Sequence, residues 1–280
     1  MRTEILAVDR EKPGEGPIRR AAGIIRGGGL VVFPTETVYG LGADALSPEA
    51  VRKIFQAKGR PADNPLIVHV EDKKAAALVG QLDERSRRLM DLFWPGPLTL
   101  VVRAAGGIPK EVTGGLDTVA VRMPAHPVAI ALIRSSGVPI AAPSANRSGR
   151  PSPTTAGAVL EDLKGRVELI LDAGPTAVGV ESTVLDVTGD HPVLLRPGGV
   201  SLEDLDEAAG PVLLPTGSEG EGRSPGTRYR HYAPSLPVIL VEAGKARAEG
   251  SHLPGQRARV AYVGMSPPPA GVMAAACFAS

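Results

Sequence analysis

Residues 57–69 read AKGRPADNPLIVH and carry the chain from a helical pattern into a strand pattern. This stretch places two cations, Lys58 and Arg60, and an imidazole, His69, within thirteen residues. Two prolines and a glycine stiffen the connection, so we expect these side chains to hold fixed positions. A rigid cationic turn at the end of a strand suits an anionic ligand such as a nucleotide phosphate.

The composition is that of a globular protein with an aliphatic core. Of the 280 residues, 43% are hydrophobic, 22% are charged and only 3% are aromatic. The net charge of +1 argues against a protein that coats nucleic acid. One cysteine, Cys277, excludes an intrachain disulfide and a CxxC metal site. The absence of a signal segment and of an 18-residue apolar run predicts a cytoplasmic protein without a membrane span.

Helix and strand patterns mix irregularly over residues 1–210. Helices are predicted at 18–26, 48–57, 73–79, 83–93, 127–134, 154–163 (capped by Thr154) and 202–209. Strands are predicted at 30–33, 66–70, 98–103, 118–122, 139–142, 168–171, 182–187 and 193–196. Because several strands follow each other through short turns, we predict an α/β or α+β sheet of mixed direction rather than a doubly wound parallel one.

The composition changes after Gly210. Residues 211–235 begin with a segment rich in Gly, Pro, Ser and Glu and are interpreted as a linker. Two strand patterns, 238–241 and 260–263, open a second α/β unit at 236–280 that ends before it closes. The predicted division is therefore a domain at 1–210, a linker at 211–235 and a partial unit at 236–280.

Common phosphate, metal and hydrolase signatures are absent from the sequence. It contains no GxxxxGK[ST], GxGxxG, HExxH or GxSxG motif, and the five histidines have no metal-ligand spacing. Polar residues instead follow strand ends and Pro/Gly turns, and strand ends can converge on one crevice. These residues are Lys58, Arg60, Arg122, Ser144, Asn146, Arg147, Arg150, Ser182, Thr183 and Arg196.

Each of these residues also has an ordinary structural interpretation. Single arginines such as Arg147, Arg150 and Arg228 are compatible with solvated side chains. His69 shares a strand face with Ile67, so a core histidine is nearly as plausible as a ligand contact. Turn or strand roles are equally open for Thr35, Thr37, Ser144 and Asn146.

Taken together, seven motifs resemble the YrdC-like family, specifically the long form of threonylcarbamoyl-AMP synthase. They occur in the order expected of that family over about residues 15–200, and residues 224–234 resemble the linker that covers the active site in the long form. The resemblance implies a YrdC-like twisted mixed sheet flanked by helices. The motifs are FPTETVYGL (33–41), KGR (58–60) with NPL (64–66), WPGPLT (94–99), AVRMP (120–124), PSAN (143–146), ESTVLD (181–186) and LRPG (195–198).

The resemblance implies a nucleotidyltransferase that forms threonylcarbamoyl-AMP and pyrophosphate from L-threonine, bicarbonate and ATP. Partner proteins would then use the adenylate to modify the adenosine at tRNA position 37. A threonine carbamate and a triphosphate are both anionic, so such a site must gather cations, which agrees with the residues found. We expect no tightly bound cofactor and no metal site, with Mg²⁺ arriving on ATP.

Residue roles are also implied by the resemblance. Lys58 and Arg60 are expected to act in catalysis. The expected ATP contacts are Lys58, Arg60, Asn64, Thr118, Ser144, Asn146, Ser152, Arg196 and, from the linker, Tyr232 with His231 as a further candidate. The expected L-threonine contacts are Thr35, Thr37, His69, Arg122, Ala142 and Ser182.

Two other functions are compatible with a concave basic surface. One is a non-catalytic protein that binds structured RNA, whose affinity would fall steeply with salt. The other is a related site that makes a carbamoyl adenylate from carbamoyl phosphate, as in hydrogenase maturation factors. Those proteins carry a zinc-finger module, which a chain with one cysteine lacks. Direct RNA contact by the enzyme also stays open.

Overall fold

The computed structural model describes residues 1–215, 261–264 and 274–277. The chain divides into two units, Met1–Ala233 and Pro234–Ser280. An eleven-stranded sheet forms the centre of the first unit. In chain order its strands are β1 (Glu4–Ala7), β2 (Val31–Pro34), β3 (Tyr39–Asp44), β4 (Ile67–His69), β5 (Gly80–Gln81), β6 (Leu98–Ala104), β7 (Thr118–Arg122), β8 (Ile140–Ala141), β9 (Leu169–Asp172), β10 (Thr183–Asp186) and β11 (Val193–Arg196). Their spatial order is β1-β9-β2-β3-β8-β4-β7-β6-β10-β11, and β5 pairs with β6.

The sheet is of mixed direction, as the sequence predicts. β4 runs parallel to β7 and β6 parallel to β10, whereas β2–β3, β6–β7 and β10–β11 are antiparallel. The β4–β7 register places His69 beside Arg122. Two candidate ligand residues that lie 53 positions apart in the sequence are thereby neighbours.

Eight helices are described, and they cover both faces of the sheet. The residues of β2 divide between two apolar clusters: Val31 and Phe33 pack with α1 and α6, and Val32 packs with the larger cluster that includes α2, α4 and α7. The helices are α1 (Glu15–Arg26), α2 (Pro48–Lys58), α3 (Lys73–Val79), α4 (Glu84–Phe93), α5 (Lys110–Thr113), α6 (Pro127–Ser136), α7 (Ala156–Leu163) and α8 (Leu202–Ala209). None of these helices is long and apolar enough to cross a membrane.

The start and end of α2 follow directly from its sequence. Ser47 caps the helix by accepting a 3.3 Å hydrogen bond from the backbone N of Ala50, and Pro48 opens it. Gly59 ends it at φ +61°, in the left-handed region that favours glycine. This sharp ending points Lys58 and Arg60 in different directions, which matters for the site.

Several predicted boundaries require correction. The helix predicted from Thr154 begins at Ala156, because Thr155 is the residue whose side chain caps it. The strand predicted at 260–263 is β12 (Ala261–Gly264), and it pairs in parallel with an unpredicted strand, β13 (Ala274–Cys277). The predicted strand 238–241 and linker segment 224–234 lie outside the described residues.

Candidate active site

The ends of several central strands surround one cavity of about 540 Å³, part of which is open to solvent. β4 and β7 contribute His69 and Arg122, the β2–β3 turn contributes Thr35 and Thr37, and β11 contributes Arg196. The sequence-predicted site residues on its wall are Thr35, Thr37, Arg60, His69, Arg122, Ala142, Ser144, Ser182 and Arg196. Strand ends from distant segments therefore do converge on one crevice.

Other predicted site residues lie elsewhere. Lys58, Asn64, Thr118, Asn146 and Ser152 are described but do not belong to the cavity wall. The two linker residues expected to reach the site, His231 and Tyr232, lie outside the described residues.

Arg122 is held in the cavity wall by contacts with three other residues. Its Nε donates to the carbonyl of Gly96 at 3.1 Å, and its Nη1 donates to Thr37 Oγ1 at 3.1 Å. Its Nη2 lies 2.6 Å from Glu36 Oε1, an ion pair whose alignment falls short of a good hydrogen bond. The Arg122 side chain is buried, at 4% exposure, and that of Glu36 is largely buried, at 12%. These contacts fix the guanidinium plane before any ligand arrives.

Thr35 shapes the β2–β3 turn beside Arg122. Its Oγ1 donates to the carbonyl of Val38 at 2.6 Å and accepts from the backbone N of Thr37 and Val38, both at 3.2 Å. The hydroxyls of Thr35 and Thr37 are 2.8 Å apart. The hydroxyls thus have a structural role in the turn, and both residues also line the cavity.

His69 is both a core residue and a wall residue. Its ring meets Phe33 edge to face with 6.1 Å between centroids, and 3% of the residue is exposed. Burial, and after it the charge of Arg122, lowers the pKa of His69 to about 3, so the ring is neutral near pH 7. Its Nδ1 is buried and makes no hydrogen bond within the part of the chain that the structure describes.

The turn after α2 separates its polar side chains. Lys58 Nζ donates to the carbonyls of Ser144 and Asn146 and, at 3.3 Å, to Asn146 Oδ1, so it holds a loop behind the cavity. Arg60 lines the cavity, and its Nη2 donates to the carbonyl of Pro65 at 3.0 Å. Asn64 is fully buried, and among the described residues its side-chain amide finds no hydrogen-bond partner.

Ser182 and Arg196 also line the cavity and are bonded to each other. Arg196 Nη2 donates to the carbonyl of Ser182 at 2.9 Å and to Ser182 Oγ at 3.1 Å. The hydroxyl of Ser182 also lies 2.8 Å from Thr99 Oγ1. β10 and β11 are antiparallel neighbours, and their register brings these side chains together.

Two carboxylates of this region belong to the site although the sequence predicts no role for them. Glu36 pairs with Arg122, and Glu181 lines the cavity and accepts a hydrogen bond from Ser152 Oγ. Both lie inside motifs quoted above, so the motifs were the signal that could have found them. Within residues 1–215, 261–264 and 274–277, no group of three or more His, Cys, Asp or Glu residues could hold a metal ion.

The fold and the site define a YrdC-like α/β enzyme whose cavity is lined by three buried or half-buried arginines. A family model described as "Telomere recombination" matches residues 23–198, and one described as "Threonylcarbamoyl-AMP synthase, C-terminal domain" matches residues 200–276. The chain belongs to the threonylcarbamoyl-AMP synthase family in its long form, whose members are nucleotidyltransferases of tRNA threonylcarbamoyladenosine modification.

Two curated relatives illustrate the similarity. The threonylcarbamoyl-AMP synthase of Pyrococcus abyssi is 55% identical over 238 residues, which cover 83% of this chain and 70% of the relative. That of Bacillus subtilis is 50% identical over 246 residues, covering 86% and 71%. Since the relatives are enzymes, the alternative of a non-catalytic RNA-binding protein loses its support.

Solved structures agree with this assignment. The crystal structure of P. abyssi Sua5 complexed with L-threonine matches with a TM-score of 0.91 and 46% identity, covering 99% of this chain and 84% of that one. Escherichia coli YciO matches with a TM-score of 0.67 at 24% identity, covering 72% of this chain and 98% of that one, and supports the fold alone.

Proposed function

We propose that this chain joins L-threonine, bicarbonate and ATP into threonylcarbamoyl-AMP and pyrophosphate in the cavity described above. The observation that carries the proposal is the convergence of Arg60, Arg122 and Arg196 with a neutral His69 around one cavity. Three fixed cations suit a reaction in which a carbamate meets a triphosphate, because charge neutralisation lowers the cost of bringing two anions together.

L-Threonine is proposed to bind on the Arg122 side. The guanidinium would bind its carboxylate, and the hydroxyls of Thr35, Thr37 and Ser182, the backbone of Ala142 and the neutral ring of His69 would complete the site. The buried Nδ1 of His69 supports this arrangement, since a buried ring nitrogen gains from a polar ligand. The P. abyssi protein, 46% identical over nearly the whole chain, is a relative that binds L-threonine.

ATP is proposed to bind on the Arg60, Ser144 and Arg196 side. The threonine amine and bicarbonate first condense to the carbamate with loss of water. A carbamate oxygen then attacks the α-phosphorus, a new P–O bond forms, and the bond to the bridging oxygen breaks as pyrophosphate leaves with the electron pair. The carbamate is already an anion, so the step needs positioning and cations rather than a general base. Mg²⁺ bound to the triphosphate would neutralise part of its charge.

Asn64 supports the nucleotide side independently of the cavity wall. A fully buried amide whose polar atoms are unsatisfied within the described residues is costly unless a ligand completes its hydrogen bonds. Lys58, Thr118, Asn146 and Ser152 stay in the proposal as ATP-side residues, as does closure by Tyr232 of the linker. A cytoplasmic location and transfer of the adenylate to tRNA-modifying partner proteins are further parts of the proposal.

Threonine-dependent release of pyrophosphate tests the proposed function. Purified protein with ATP, bicarbonate and L-threonine should release pyrophosphate, and Arg122→Met should reduce the rate to background. Arg103→Met is the matched control, because Arg103 of β6 is 59% exposed, pairs with Asp117 and does not line the cavity. Release that continues unchanged without threonine would refute the proposal and favour a carbamoyl-phosphate reaction.

A further inference from the structure

The loop of residues 144–150, which brings Ser144 to the cavity, is held from two sides by buried charges. On one side, Lys58 at the end of α2 donates through Nζ to two loop carbonyls and to Asn146 Oδ1. On the other, Asp162 of α7 accepts a 3.0 Å hydrogen bond from the backbone N of Arg147 and forms an ion pair with Arg150.

Bonds inside the loop make the two attachments depend on each other. Asn146 Nδ2 donates to the carbonyls of Arg147 at 3.0 Å and Arg150 at 2.6 Å, and Ser144 Oγ donates to Asn146 Oδ1. The backbone N of Ser148 donates to the carbonyl of Lys58 at 3.0 Å. A shift at either attachment would therefore move Ser144 relative to the cavity.

Two charged groups act on the Lys58 ammonium, Arg60 and Asp162, and two more arginines lie on neighbouring contacts. Arg60 follows it in the turn, Arg166 donates to the neighbouring carbonyl of Ala57, and Arg150 shares the carboxylate of Asp162. Burial lowers the pKa of Lys58 well below its usual value, the charge of Arg60 lowers it further, and Asp162 opposes both effects. A charged Nζ has three N–H donors for its three acceptors, whereas a neutral amine has only two.

We propose that Asp162 is a positioning residue for the nucleotide side of the site: it fixes the 144–150 loop on α7 and balances the charge of Lys58, without touching ATP itself. The inference rests on the proposed function, because it treats this loop as part of the ATP site. Asp162 is suited to such a role because it is only 9% exposed and its carboxylate accepts hydrogen bonds from the backbone N of Arg147 and from the side chain of Arg150.

The test compares Asp162→Asn with the wild-type protein. Asparagine keeps the shape and an acceptor for the backbone N of Arg147, but it removes the negative charge. We expect ATP affinity, measured by calorimetry without threonine, and the KM for ATP to weaken by about tenfold. The KM for threonine should stay within about twofold. The alkaline limit of kcat/KM for ATP should move to lower pH, because Lys58 loses its proton more readily.

Two further variants separate position from charge. Glu161→Gln removes the same charge from an exposed neighbour on the same helix and should leave both readouts unchanged. Asp162→Glu keeps the charge but displaces the carboxylate by one methylene, so ATP affinity should fall while the alkaline limit stays at its wild-type pH. If thermal unfolding shows that Asp162→Asn does not fold, Asp162→Glu carries the test.

Each result decides a different question. Wild-type ATP affinity and an unshifted pH profile in folded Asp162→Asn, or wild-type ATP affinity in Asp162→Glu, would overturn the role of Asp162. Failure of the wild-type protein to release pyrophosphate would overturn the proposed function instead. The calorimetric comparison of ATP binding would then still test the loop attachment, since it needs no turnover.

Discussion

Replacing Arg122 alone should destabilise the protein more than replacing both members of its buried ion pair. Arg122→Met leaves the carboxylate of Glu36 buried, at 12% exposure, without the cation that lies 2.6 Å away. Breaking one side of a buried pair costs about 3–5 kcal/mol, whereas replacing both charges is often nearly neutral. The double variant Glu36→Gln/Arg122→Met still loses the bonds to Gly96 and Thr37, so we expect it to recover about half of the loss.

Urea unfolding followed by fluorescence measures this difference. Trp94 is the only tryptophan of the chain, it is 6% exposed, and its Nε1 donates to the carbonyl of Leu98 at 2.7 Å. With a urea slope of about 2 kcal/mol per molar, the midpoint of Arg122→Met should fall by about 1.5–2.5 M. Arg103→Met, which breaks an exposed pair with Asp117, should lose less than about 1 kcal/mol.

Calorimetry with L-threonine completes the experiment, because stability and binding should separate. Both Arg122 variants should lose threonine binding, although the double variant regains stability. A double variant no more stable than Arg122→Met would show that the two charges are not coupled. Retained threonine affinity in the folded double variant would remove Arg122 from the proposed threonine site.

Three further predictions concern His69, Asn64 and Gly198. Because the pKa of His69 is lowered in the folded protein, the unfolded chain binds a proton at this residue first as pH falls below about 6.5. Protonation of unfolded His69 should cost the wild-type protein about 2 kcal/mol of stability between pH 7 and pH 5, and His69→Gln should abolish that loss. An unchanged dependence of stability on pH, measured by urea titration, would contradict this. Asn64→Leu should leave the free energy of unfolding equal or higher while ATP affinity falls, and a marked loss of stability would show that the amide is satisfied in the protein alone. Gly198→Ala should lower both the melting temperature and threonine affinity. The reason is that a Cβ at position 198 would lie 2.3 Å from the carbonyl O of Glu181 and 2.4 Å from the backbone N of Thr183. A wild-type melting curve would count against this close approach.

The sequence predicts the convergence of strand ends better than the direction of individual side chains. Lys58 and Arg60 look equivalent in the sequence, since both are cations in one rigid turn. The left-handed Gly59 between them sends Lys58 under the 144–150 loop and Arg60 to the cavity wall. Only the three-dimensional path of the loop distinguishes a clamp from a wall residue.

Long-range packing explains what the sequence does not predict. β3 reads YGLGAD, and two glycines weaken a strand pattern. Gly42 is nevertheless required there, because a Cβ would lie 2.7 Å from both Phe33 and Ile140. Likewise Glu36 stands in a predicted motif, but its partner Arg122 follows 86 residues later and becomes visible only when the strands are paired.

The two sides of the proposed site are built differently, and this should appear in their pH dependence. The threonine side lies on paired strand ends, where His69 stays neutral at any pH well above 3. The nucleotide side depends on a loop clamped by Lys58, whose lowered pKa brings its deprotonation closer to neutral pH. Loss of that proton removes one of three donors to the loop. As pH rises above neutral, ATP affinity measured by calorimetry should therefore fall more than threonine affinity; parallel changes in the two affinities would contradict the division.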